Sequence, residues 1–326
     1  MHFARTEEQD ELAEIVGSLL AKRSDSAAVR VAMESDTGYD PALWQALCEQ
    51  VGVAALPVPE EYDGFGASLV ETAVVLEELG YNLAPTPLLA VAIATSALLL
   101  RGDQQTKASL LPRIVTGEVA ALVTSDLVLD GATAEVVLGL RDGRLEVLGD
   151  VDIEPVGSLD QTIALGRVTG GGDLALDEPL RDVALALTSA LQVGAAQRGL
   201  DMTVAYSKER EQFGRPIGSF QALKHRMADM LVLVEASRSA SWGATAAAAA
   251  YVQEPTEQRA ETLSRRAAVA RSYCSDALDQ VASETVQLHG GIAITWEHDS
   301  QLVFKRAHAL SRLWEPAHVA RARLLT

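Results

Sequence analysis

A chain of 326 residues, 48% of them apolar, is long enough to bury a sizeable core and to divide into two or three modest domains. Its net charge of −18 excludes a general nucleic-acid or anionic-membrane binder, since both demand a basic surface. The excess acid lies in residues 1–182, whereas 183–326 hold slightly more basic than acidic side chains, so only the last part suits a phosphate-bearing ligand.

The first third reads as helices. Thr6 caps a predicted helix running to about Lys22, with Leu12, Ile15, Val16, Leu19 and Leu20 on one face. Pro41 opens a second, striped by Leu43, Trp44 and Leu47. Residues 51–67 form a connector punctuated by proline and glycine, and a further helix is expected over Leu69 to Leu79. The apolar run Leu88 to Leu100 is too short to span a bilayer. The opening residues lack a basic stretch followed by an apolar run, so no secretory signal is read and a cytoplasmic location is expected. Cys48 and Cys274 lie far apart, in no ligand-spaced cluster, so they are read as small buried residues with neither a metal nor a disulfide.

From about Ala120 to Arg181 the pattern changes to short β-prone runs: 121–123, 134–138, 145–148 and 162–165. Asp130-Gly131 and Asp142-Gly143 supply turn residues, so a small antiparallel sheet is expected, with Gly170-Gly171-Gly172 as a hairpin tip rather than a phosphate loop. After Pro179 the chain is helical again. Predicted helices run from Val183 to Arg210, Phe220 to Val252, Pro255 to Leu288 and Ser300 to Leu313, with a short one closing the chain; such lengths make a four-helix bundle.

Two strings in the bundle stand out. Glu209-Arg210-Glu211-Gln212-Phe213-Gly214, followed by Pro216, Phe220 and Gln221, places a guanidinium and an aromatic ring one helical turn apart at the end of a helix. A guanidinium suits a diphosphate because its planar fork of donors matches phosphate oxygens and stays charged. The second string, Gln287-Leu288-His289-Gly290-Gly291, ends a helix in paired glycines that either stop it or let backbone N–H groups approach a ligand. His289 and His298 have no paired metal-ligand spacing and are read as packing or surface residues.

Together these strings closely resemble the flavin-contacting signatures of the acyl-CoA dehydrogenases, and the 51–67 connector resembles that family's amino-terminal domain. The resemblance implies a mostly α fold with a small β domain: an N-terminal helical domain (1–118), a reduced middle β-sheet domain (119–180) and a C-terminal four-helix bundle (181–326). It implies FAD as cofactor, with Arg210, Gln212, Phe213, Gln221, Gln287, Gly290 and Gly291 as contacts reaching a flavin held mainly by a neighbouring subunit. The stretch 292–299 looks like a branch acting on bulky, steroid-derived acyl-CoA thioesters.

The departures from the family pattern are as informative. The usual Thr-Glu…Gly-Ser-Asp loop is replaced by Leu122-Val123-Thr124-Ser125-Asp126-Leu127, and the middle region has no tryptophan, so the half of the site that a subunit keeps for its own flavin is missing. The reaction needs a carboxylate to take the α-proton. Glu315, in Trp314-Glu315-Pro316-Ala317, stands near the place of the family's aromatic-Glu-Gly-Thr base, where a neighbouring indole would raise its pKa. Glu178 and Asp182 are weaker candidates. The expected protein is therefore the smaller subunit of an α2β2 acyl-CoA dehydrogenase, paired with a larger, flavin-holding subunit and passing electrons to an electron-transferring flavoprotein. A self-sufficient homo-oligomer using Glu315, or a scaffold subunit without flavin contact, are the alternatives.

Overall fold

The structure, a computed structural model, describes residues 5–149, 151–169, 174 and 176–325. The expected glycine tip at 170–172 lies outside them. Six helices come first: α1 (Glu7–Arg23), α2 (Ser26–Met33), α3 (Pro41–Ala46), α4 (Leu69–Tyr81), α5 (Leu88–Arg101) and α6 (Gln104–Val115). Thr6 caps α1 as expected: its hydroxyl accepts from the Gln9 N–H while the Gln9 side chain accepts from the Thr6 N–H. Such a reciprocal cap stabilises a helix end by about 1 kcal/mol. The apolar run becomes α5, a core helix buried from Leu88 to Leu98. Among the described residues no helix is long and apolar enough to cross a membrane.

The middle region is two small sheets rather than one. β1 (Ala120–Val123), β3 (Val136–Arg141) and β4 (Arg144–Val147) form the first, with β1 parallel to β3. β2 (Leu127–Leu129), β6 (Leu165–Thr169) and β5 (Asp152–Val156) form the second, wholly antiparallel. Asp142-Gly143 makes the expected hairpin, both residues having positive φ (49° and 73°). Asp130-Gly131 does not. It opens a tight helical turn that carries the chain from one sheet to the other, which is why a purely antiparallel sheet cannot form.

The bundle comprises α7 (Glu178–Glu209), α8 (Gln221–Gln253), α9 (Glu257–His289) and α10 (Ser300–Leu310), followed by α11 (Ala317–Arg323). Helix α7 is buried nearly all round because α4 crosses its outer side. Two glycines permit that crossing: a Cβ at Gly194 would lie 1.9 Å from the Glu77 carbonyl oxygen, and one at Gly80 would lie 2.3 Å from that of Leu191. One apolar cluster consequently runs from α1 through α5 into the bundle. The middle sheets join the bundle through a buried ion pair, Arg306 Nε to Asp160 Oδ2 at 2.6 Å, reinforced by Thr162.

Candidate cofactor site

Helix α7 ends one residue earlier than the sequence implies. Arg210 leaves the helical region (φ −74°, ψ 119°), and two-residue strands β7 (Glu211–Gln212) and β8 (Arg215–Pro216) form a hairpin. Arg210 and Phe213 are therefore not one helical turn apart on α7. The reason lies at the tip, where Phe213 and Gly214 both take positive φ (53° and 74°), the conformation of a two-residue hairpin and not of a helix. A bulky residue in that region carries strain on the order of 1–3 kcal/mol. Phe213 nonetheless stands 92% exposed, its ring meeting that of Phe220 edge-on at 6.1 Å. It does not plug the bundle.

Helix α9 ends at His289, and Gly290 turns the chain with φ 65° while its N–H caps the helix on Val286. Gln287 is exposed on the last turn, and Gln221 is the first residue of α8. The two motifs meet at one end of the bundle. Tyr206 of α7 stacks on His289 at 4.5 Å, and Arg226 of α8 pairs with Glu284 of α9 at 2.5 Å.

Arg210, Gln212, Phe213, Gln221, Gln287, Gly290 and Gly291 are all exposed. Among the described residues the Arg210 guanidinium has no ion pair, leaving its fork free for an anion. A Cβ at Gly290 or Gly291 would meet nothing within 4 Å, so the backbone there is open to a ligand. These groups fit one side of an extended dinucleotide and cannot enclose it.

The remaining candidates sit elsewhere. A cavity of about 620 Å³ lies between the second sheet and the bundle, lined among others by Leu129, Ile163, Leu165, Arg181 and Trp314. The Glu315 carboxylate turns away from it, to Arg323 at 2.6 Å and to Arg181 at 4.0 Å. The Trp314 indole donates to Thr188 at 2.9 Å. Asp182 shares both guanidiniums, at 2.7 Å from Arg323 and 3.3 Å from Arg181; burial pushes its carboxyl upward while the two cations oppose the shift. Glu178 is exposed at the start of α7. No cluster of potential metal ligands occurs among the described residues. Burial raises the thiols of Cys48 and Cys274 to about 12, which leaves both inert.

Two residues escaped the sequence reading. Arg271 is buried and donates to the carbonyls of Leu310, Ser311, Leu313 and Glu315, so it fixes the whole turn that presents Trp314 and Glu315. Desolvation lowers its pKa to about 10, still charged at neutral pH. Arg306 anchors the middle sheets, while His289, read from the sequence as a packing or surface residue, is buried against Tyr206 where the two motifs meet. Arg271 and Arg306 had a legible signal: each interrupts a stripe of buried apolar residues at helical spacing, Ala267, Cys274 and Leu278 in one case and Leu302, Val303 and Leu310 in the other.

Comparison with known proteins matches both helical regions of the chain. Residues 6–118 match the acyl-CoA dehydrogenase N-terminal domain and residues 184–315 its C-terminal domain, leaving the reduced middle region between the two. The chain is 46% identical to acyl-CoA dehydrogenase IpdE2 of Mycolicibacterium smegmatis, over 95% of this chain and 96% of the relative. IpdE2 of Mycobacterium tuberculosis is equally similar at 46%, over 97% of this chain and 96% of the relative. Among solved structures, the ChsE4–ChsE5 complex of Mycobacterium tuberculosis superposes with a TM-score of 0.83 at 24% identity, covering 99% of this chain and 98% of that one. A variant of the Tcur3481–Tcur3483 steroid acyl-CoA dehydrogenase gives a TM-score of 0.82 at 24% identity, covering 98% and 96%. With both helical domains matched and near full-length relatives at this identity, the chain belongs to the acyl-CoA dehydrogenase family of FAD-dependent oxidoreductases.

Proposed function

We propose that this chain is the smaller subunit of an α2β2 acyl-CoA dehydrogenase that introduces an α,β double bond into a bulky, steroid-derived acyl-CoA thioester. One observation carries the reading: the residues matched to flavin contacts are all exposed, and Phe213 is held exposed in a strained conformation. Covering a phenylalanine side chain gains about 1.5–3 kcal/mol, comparable to the strain at its backbone, so the hairpin makes sense when docked on another molecule. That two of the similar structures are two-component complexes supports the same reading.

FAD, when bound, supplies the hydride acceptor for the β-carbon. In this reading Arg210 holds the diphosphate by charge-assisted hydrogen bonds, Gln212, Gln221 and Gln287 offer amides, and Phe213 covers an apolar edge. Gly290 and Gly291 let backbone N–H groups approach. The larger subunit encloses the flavin ring, binds the thioester and provides the base. On this chain Arg323 holds one Glu315 oxygen at 2.6 Å and Arg181 lies 4.0 Å from the other, which argues against Glu315 in that role. An electron-transferring flavoprotein accepts the electrons, and the enzyme works in the cytoplasm.

Purified alone, the chain is expected to be colourless and inactive; co-expressed with a larger acyl-CoA dehydrogenase subunit, it should yield a yellow, active complex. Yellow, active protein from this chain by itself would reject the proposal. The cavity beside Trp314 favours one competing reading, a self-sufficient enzyme using Glu315. Only that version predicts loss of activity on Glu315→Gln.

A further inference from the structure

Gly290 and Gly291 carry no side chains, and a Cβ at either would meet no atom, so this turn has no packing of its own to hold it. Contacts that sustain a ligand need placement to within roughly 0.5 Å. Something beside the turn must supply that precision.

Three rings do so. Tyr206 lies on the last turn of α7, just before the Arg210 hairpin; His289 is the last residue of α9, immediately before Gly290; His298 follows the turn, two residues before α10. His289 is buried at 3% exposure and lies between the other two. Tyr206 stacks on it at 4.5 Å with 27° between planes, and His298 lies against it at 4.6 Å. Tyr206 and His298 meet edge-on at 6.5 Å.

The two imidazoles are themselves fixed. The His289 Nδ1 donates to the Thr285 carbonyl at 2.7 Å. The His298 Nδ1 accepts from the Ser300 N–H at 3.1 Å. Next to it, Asp299 accepts from Arg30 at 2.8 Å and from Ser26 at 2.5 Å, and lies 3.6 Å from Arg198. The segment that carries the glycine turn is thus clamped to α2, α7 and α9 at both ends.

We propose that the Tyr206–His289–His298 stack sets the spacing and angle between the Arg210 hairpin and the Gly290-Gly291 turn, making the two histidines positioning residues for FAD. This rests on the reading that both elements touch the cofactor. An aromatic pair contributes about 0.5–1.5 kcal/mol beyond its buried area, so losing the central ring should weaken FAD binding by up to about tenfold.

The test uses the complex assembled with the larger subunit, comparing His289→Ala, His289→Phe, His298→Ala and Arg210→Ala. The measurements are FAD dissociation constant, the visible circular dichroism of bound flavin, and melting of the flavin-free chain. The proposal expects His289→Ala and His298→Ala to raise the dissociation constant and alter the flavin band shape, and His289→Phe, which keeps a ring, to restore both. Should His289→Ala fail to assemble, the His298→Ala and His289→Phe complexes decide. Wild-type affinity and band shape in the alanine variants, or no recovery by the folded phenylalanine variant, would overturn the positioning role. If Arg210→Ala loses FAD in that same experiment, the cofactor reading survives; if Arg210→Ala is also unchanged, both fall together.

Discussion

The C-terminal bundle and the middle region of this chain are built very differently. The bundle has long helices, a shared core and an exposed set of candidate cofactor contacts at one end, whereas the middle region is two three-stranded sheets. In the bundle, Arg271 meets four carbonyls, and Arg306 reaches across to Asp160 and Thr162 of the middle region. In the middle region Asp130 is buried with no such partner among the described residues, and desolvation raises its carboxyl to about 8. Family membership alone does not say which half of a shared site a subunit has kept. Under the proposed function, the exposed groups at the end of the bundle are the half that this chain supplies.

The contrast can be broken most forcefully at the joint between the regions. Arg306→Met should leave Asp160 as an uncompensated buried charge and destabilise the protein by about 3–5 kcal/mol. Adding Asp160→Leu should recover most of that loss. Denaturant midpoints of the single and double variants check both statements; equal destabilisation by the two would show that the pair is not what joins the sheets to the bundle.

Next in size is the cofactor arm. Hydrogen bonds to charged groups contribute about 1.5–3 kcal/mol, so Arg210→Ala should weaken FAD binding by roughly 10–100-fold in the assembled complex, read from the flavin retained after dialysis. The melting temperature of the free chain should hardly move, since the side chain is exposed and unpaired.

Asp130 sharpens the comparison from the other side. Its folded pKa lies above the unfolded value, so the folded state holds the proton more tightly and this residue's effect turns unfavourable as pH rises from about 4 to about 8. Asp130→Asn should therefore stabilise the chain at pH 8 and do little near pH 4, and asparagine tolerates the local φ of 50°. Melting curves at the two pH values suffice; a gain confined to acid would refute the assignment.

The smallest effect concerns the ring stack. Burial lowers both His289 and His298 below their usual value near 6.5, so below that pH the unfolded chain binds protons first and stability falls. His289→Phe should flatten this acid loss between pH 6.5 and pH 5.

The helices were legible because their causes are local: the Thr6 cap, the apolar stripes, and the long bundle segments bounded by turns. The cofactor arm was legible as a string, but its shape was not. Two consecutive positive-φ residues at Phe213-Gly214 turn what reads as a helix end into a hairpin. Helix α2 and strand β2 went unread because they are short and their partners lie far away in sequence, and helix α6 and strand β5 because each carries a proline, Pro112 and Pro155, that breaks its local pattern. The parallel pairing of β1 with β3 and the ion pair of Asp160 with Arg306 are likewise long-range facts. Glu315 was legible as a position and not as an environment, since the guanidiniums that hold it come from α7 and α11.

The most direct measurement is a structure of the assembled complex with FAD bound, read at one distance. The Arg210 guanidinium should lie within hydrogen-bonding range, roughly 2.7–3.2 Å, of a diphosphate oxygen whose flavin ring is enclosed by the larger subunit. A cofactor enclosed wholly within one subunit, with Arg210 and the Gly290-Gly291 turn out of its reach, would contradict the shared site.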